Sequence, residues 1–210
     1  MSINTDTAIV QRYLPSHGNG VVTVKTPPEV EPITLDQFKL FARIDGTYED
    51  TNLELLLSTA VIGVEDYLKK ALIERTFVLS MDWWPEPLQL PYPPLLSIVE
   101  VRTLDEESIK TVYSSDSYFV RTNNNGPGEI IIKNGVTPPV NTSRFTGGYE
   151  VEYKAGYGGD PLDVPASIRH GILLLATFCY ENRVPILTGT IMTEVPGLKE
   201  ALGMKRRIRI

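Results

Sequence analysis

DTNLELLLSTAVIGVEDYLKKA, residues 50–71, sets the period from which the rest of the chain is read. Leu53, Leu56, Leu57, Ala60, Val61, Val64, Leu68 and Ala71 recur at steps of three and four, the apolar face of an amphipathic helix from about Asp50 to Ala71. Tyr48, Glu49 and Asp50 lead into it, with acids where the positive end of the helix dipole favours them. Glu65 and Lys69 form an i,i+4 pair on the wet side, worth a few tenths of a kcal/mol. Upstream, Thr34 and Gln37 have the spacing of a capping box, and Leu35, Phe38 and Phe41 share a face. This predicts a shorter helix that stops near Asp45–Gly46. Downstream, Pro165 suits a first helical turn. Ile168, Ile172, Leu175, Ala176 and Cys179 then share a face that Leu173, Leu174 and Phe178 widen. That third helix is apolar enough to be central, and it should end near Arg183, before Pro185.

Between the second and third helices the period changes to two. Residues 77–81, 98–102, 118–121, 129–133 and 149–153 read as strands, separated by Gly, Pro and Asn clusters at 85–94, 123–128 and 134–139. With no helix between them, antiparallel pairing is expected. The fold class is therefore α+β: a small helical bundle of three main helices with an inserted antiparallel β lobe at about 76–154 and extended terminal arms. Residues 1–33, with Pro15, Gly18, Gly20, Pro27, Pro28 and Pro32, read as an extended N-terminal arm. Residues 34–183 form the main domain and 184–210 a C-terminal tail. Within that tail Glu194 to Leu202 has the pattern of a short helix, and Arg206–Ile210 reads as extended.

Of the 210 residues, 42% are hydrophobic and 22% charged, enough apolar material for a packed core. The longest apolar run, Gly171 to Tyr180, falls far short of the roughly 20 residues that span a bilayer, so no membrane association is expected. No secretory signal is expected at the start, which lacks a basic region followed by an apolar block. A single cysteine, Cys179, rules out an internal disulfide framework, and a reducing cytoplasm suits synthesis. The net charge is −6, unfavourable for general DNA binding. Lys205, Arg206, Arg207 and Arg209 nevertheless crowd the last six residues, and taking them away leaves −10 for residues 1–204. An acidic body with a basic tip is suited to two kinds of neighbour.

Candidate chemistry is sparse, and no cofactor, metal or catalytic residue is assigned. His17 lies in the Pro/Gly-rich arm, where nothing local orients it. His170 and Cys179 stand nine residues apart on one predicted helix, more than two turns, so they cannot form a nucleophile–base pair. Asp160 and Asp163 flank Pro161 without the EF-hand pattern and read as a turn before a helix. The Gly156-Tyr-Gly-Gly run lacks a following Lys-Ser/Thr and reads as a backbone turn rather than a phosphate loop. Trp83, Trp84 and Tyr92, among prolines, are either a subunit-contact surface or a local cluster covering the sheet. The basic end suits phosphate or an acidic protein surface, with no motif for reading bases.

Several segments, in order, resemble a known family. Asn52-Leu-Glu-Leu-Leu-Leu, Ala60 and Val64-Glu-Asp-Tyr-Leu run into Ala71-Leu-Ile-Glu-Arg-Thr-Phe. Leu90-Pro-Tyr-Pro-Pro-Leu-Leu-Ser-Ile and Tyr118 follow. Tyr153-Lys-Ala-Gly-Tyr-Gly-Gly then leads to Val164-Pro-Ala-Ser-Ile-Arg and Tyr180-Glu-Asn-Arg. Over about residues 34–183, and more weakly Val195–Arg206, the chain is similar to the head–tail connector (adaptor) family of long-tailed phages and gene-transfer particles. It departs from that family in its long N-terminal stretch and in lacking a Trp-Pro before the last strand, where Pro138-Pro139 stands.

The resemblance implies a structural virion protein without enzymatic activity, placed in the neck between head and tail. It implies a homo-oligomeric ring of about twelve subunits below the portal protein, a tail-side stopper or terminator on the opposite face, and double-stranded DNA passing without sequence specificity. In such proteins the C-terminal segment docks on the portal, which here makes Val195, Leu198, Leu202, Lys205, Arg206, Arg207 and Arg209 the docking candidates. The alternatives are another neck or tail-completion protein, or a DNA-packaging accessory that binds DNA through the basic end.

Overall fold

The computed structural model describes residues 12–14, 20–123, 126–140, 145–182, 195 and 197–203. The chain divides into two compact units. A β unit takes residues 1–28 and 74–156, and a helical unit takes 29–73 and 157–210.

The helical unit is built on α1 (Leu35–Ala42), α2 (Asp50–Leu68), α3 (Ala166–Asn182) and the short α4 (Leu198–Gly203). Thr34 and Gln37 form the anticipated capping box: Thr34 Oγ1 accepts from the Gln37 amide at 3.2 Å, and Gln37 Oε1 accepts from the Thr34 amide at 3.1 Å. Lys39 ties α1 to the start of α2 through Asp50 at 2.7 Å. Helix α2 ends at Leu68, three residues before the predicted Ala71. Lys69 turns left-handed at φ 56°, and the Glu65 carboxylate accepts from the Leu72 amide at 2.9 Å. Glu65, expected to face Lys69 in solvent, thus helps close the helix end. The core joins Phe38 of α1, Leu53, Leu57, Ala60, Val61, Val64 and Leu68 of α2, and Ile168, Ile172, Leu175, Ala176 and Cys179 of α3. Burying each large aliphatic side chain contributes about 1.5–3 kcal/mol before entropy is subtracted.

The β unit holds two antiparallel sheets. The larger has the order β1-β2-β3-β9-β5-β6, with β1 Arg12–Leu14, β2 Gly20–Thr26, β3 Arg75–Met81, β5 Leu95–Leu104, β6 Lys110–Tyr113 and β9 Tyr149–Ala155. The smaller is β4-β8-β7, from Leu88–Gln89, Glu129–Ile132 and Tyr118–Arg121. The stretch expected to be an arm is partly sheet. β2 pairs with β3 in the register Val22↔Leu79 and Val24↔Phe77, which puts Val22 at 1% exposure. GVVTVKT alternates weakly between flanking Gly and Pro, and its partner strand lies some fifty residues away, so local sequence could not reveal the pairing. Along β3 and β9 strict alternation sends Phe77, Leu79, Met81, Val151, Tyr153 and Ala155 inward.

Candidate assembly surfaces

On the outer face of the large sheet, alternation sets Glu150 and Glu152 of β9 beside Arg102 of β5. Arg102 donates to Glu150 at 2.8 Å, Glu100 at 2.8 Å and Glu152 at 3.1 Å, and Lys25 of β2 reaches Glu152 at 2.6 Å. Burial alone would raise the Glu152 carboxyl. Hydrogen bonds and charges from Lys25 and Arg102 outweigh it and hold the group below its usual value. Desolvation likewise opposes the Arg102 charge, but its three glutamates more than restore it. The cluster sets Lys25 and Arg102 against Glu100, Glu150 and Glu152, and so braces β2, β5 and β9 to one another. This network went unnoticed in the sequence, because it depends on which strands are neighbours.

The aromatic–proline patch divides. Trp83 is 49% exposed, whereas Trp84 and Tyr92 are half-buried. Tyr92 stacks on Phe77 at 5.1 Å, and Phe77 on Tyr153 at 5.5 Å, whose hydroxyl donates to the Pro91 carbonyl at 3.0 Å. Trp84 leans on Tyr149 at 6.3 Å. For these two residues the local-cluster alternative describes what the side chains do, and Trp83 alone of the three remains a surface group.

The docking candidates divide too. Val195, Leu198 and Leu202 are 5%, 0% and 0% exposed and belong to the helical core. Helix α4 lies close against α3 at Gly171, where an added Cβ would stand 2.8 Å from Leu202 Cδ2. The resemblance implied portal docking for these three, whereas their side chains are buried within their own bundle. Lys205, Arg206, Arg207 and Arg209 lie outside the described residues.

Other candidates take structural places. Asp160 and Asp163 form a capping box around a 3-10 turn: Asp160 Oδ1 accepts from the Leu162 amide at 2.7 Å, and Asp163 Oδ2 from the Asp160 amide at 3.1 Å. Gly158 is required beside them, since a Cβ there would meet Asp163 Oδ2 at 2.0 Å. Gly156 takes φ 140° and its amide donates to the Pro94 carbonyl at 2.9 Å, a turn as anticipated. His170 is exposed and meets the Phe41 ring edge-on at 5.7 Å. Cys179 is 1% exposed, and burial pushes its thiol up, away from the reactive thiolate. Among the described residues, no group of three or more His, Cys, Asp or Glu is placed to hold a metal, and no helix is long and apolar enough to cross a membrane.

Exposed apolar side chains gather on each unit. The helical unit shows Leu40 at 83%, Tyr48 at 101%, Leu55 at 68% and Ile62 at 54%. The β unit shows Val112, Phe119 and Phe145, with Lys133 Nζ 4.8 Å above the Phe119 ring. Scattered singles are ordinary, but an uncharged helix face is not. Leu55 and Ile62, seven apart on α2, are a feature that spacing alone could have flagged.

No curated protein is significantly similar in sequence. Residues 32–132 match the family described as Phage gp6-like head-tail connector protein. Among solved structures, the fold resembles a chain in the neck of an empty gene transfer agent particle computed with C6 symmetry. The TM-score is 0.75 at 22% identity, covering 90% of this chain and 96% of that one. A chain of the native gene transfer agent virion gives 0.73 at 22% identity, with 90% and 96% covered. A chain of the native particle's neck, computed with C12 symmetry, gives 0.68 at 20% identity, with 90% and 97% covered. The matched segment, just under half of the chain, runs from the start of the helical unit through α1 and α2 and on through strands β3 to β8, and stops short of α3; over it the chain is similar to the head–tail connector family, and the α+β fold is shared with chains of phage-like particles.

Proposed function

We propose that this protein is a non-enzymatic subunit of the virion neck. About twelve copies form a ring below the portal, join the DNA-filled head to the tail and surround the passing duplex. The observation that carries this reading is the connector-family match on a fold shared with chains of particle necks, whose symmetries are those of rings. The side chains support a structural role: Cys179 is sealed in the core, His170 sits roughly 13 Å along the same helix, and the carboxylate pairs cap turns or brace strands. An acidic body suits a DNA passage, because it repels phosphate and lets the duplex slide. The basic end, Lys205, Arg206, Arg207 and Arg209, is the portal-docking element. The opposite rim receives the stopper or terminator of the tail.

Removing residues 184–210 would be a poor test of docking, since it also strips Val195, Leu198 and Leu202 from the core. The sharper variant changes Lys205, Arg206, Arg207 and Arg209 to Gln in the full chain. Purified portal rings should retain the wild-type chain on a sedimentation gradient and release it as salt rises, while the variant stays unbound. Unchanged binding by the variant rejects the docking assignment. Absence of the chain from purified particles rejects the neck role itself.

A further inference from the structure

The outward side of α2 is unlike an ordinary solvated helix face. Leu53, Leu57, Ala60, Val61, Val64 and Leu68 mark the inward side. At 3.6 residues per turn the opposite side carries Thr51, Leu55, Ser58, Thr59 and Ile62. None of these is charged. Glu54 borders the strip and Asp66 closes its far end. Thr59 Oγ1 donates to the Leu55 carbonyl at 2.7 Å, so its hydroxyl proton is satisfied within the helix. Exposed faces of amphipathic helices are normally charged. An uncharged strip in which exposed Leu55 and Ile62 stand among small hydroxyl residues, bordered by Glu54 and Asp66, has instead the make-up of an interface centre and its rim.

We propose that this face of α2 is the seam against which the next copy of the same chain packs. The inference rests on the ring reading above. A ring closed by rotation joins neighbours through heterologous contacts, so each copy must offer two different lateral surfaces. The necks that hold chains of similar fold were computed with C6 and C12 symmetry, and a ring of either symmetry has such seams. Permanent contacts between identical subunits are also the more apolar class, whereas the charged tail suits a separately assembled partner. The strip is therefore a lateral surface for a second copy, and the residues it meets on that copy lie outside 51–62.

The test uses assembled particles. Ile62→Cys, or Leu55→Cys as a second position, is labelled with a benzophenone maleimide, and buried Cys179 stays silent. Irradiation should join two copies of the chain, with the adduct mapping outside residues 51–62 of the acceptor. A product with any other protein, an adduct within 51–62, or no product from either position overturns the seam. Amine cross-linking of wild-type particles tests the ring independently. A multimer ladder supports it; absence of the ladder defeats the ring reading, whereas a ladder combined with the wrong photoproduct defeats only the seam. Leu55→Glu combined with Ile62→Glu should abolish the ladder and leave the circular dichroism spectrum unchanged, as both side chains are exposed. A ladder that survives both changes overturns the proposal.

Discussion

Arg102 is the residue on which the outer face of the large sheet depends. Its side chain is 8% exposed and holds three glutamates, one of them itself 8% exposed. Replacing it with Met should destabilise the chain by about 3–5 kcal/mol in urea unfolding, because Glu150 and Glu152 lose their main cation while still partly buried. Adding Glu152→Gln to that variant should recover part of the loss. The pH dependence follows from the same pair. The folded carboxyl of Glu152 titrates below its unfolded value, so its contribution is complete above the ordinary carboxylate range and is lost as pH falls through the depressed value. Glu152→Gln should flatten the acid limb of a stability–pH curve. At Gly158 the constraint is steric: Gly158→Ala pushes a methyl group into Asp163 and should cost about 1–2 kcal/mol by breaking the capping box, measured as a lower urea midpoint.

At the scale of elements, α3 and α4 show how a glycine can decide packing. Gly171 lets Leu202 and Leu198 approach the helix backbone closely. Gly171→Val should overpack this contact, lower stability by about 1–3 kcal/mol and increase hydrogen exchange in residues 198–203 ahead of α2 and α3. Capping box, strand alternation and helix periodicity were all readable locally in α1, α2, α3, β3 and β9. β2 and β6 were not, because their alternation is weak and their partners, β3 and β5, supply the hydrogen bonds. β4 is only two residues long, too short to carry a period.

Across the whole molecule, the chain leaves and re-enters the helical unit around the β unit, so α2 and α3 come together although some hundred residues separate them. The C-terminal segment should therefore divide functionally at Gly203. Truncation after Gly203 should leave thermal unfolding near wild type while abolishing portal retention. Truncation after Asn182 removes Val195, Leu198 and Leu202 as well and should lower the unfolding temperature by many degrees, since each buried leucine lost costs about 2–5 kcal/mol. Equal melting of the two truncations would show that α4 contributes nothing to the bundle.

Periods of 3.6 and 2, with caps and turns, were enough to identify three helices, five strands and the α+β class, because these depend on neighbours within a few residues. Family resemblance in the ordered segments carried the connector reading. Folding alone decided that Val195, Leu198 and Leu202 face inward, that Tyr92 stacks on Phe77, and that Arg102 meets Glu150 and Glu152. Each of those depends on contacts between residues far apart in the chain, where apolar spacing shows that a face is buried but not against what.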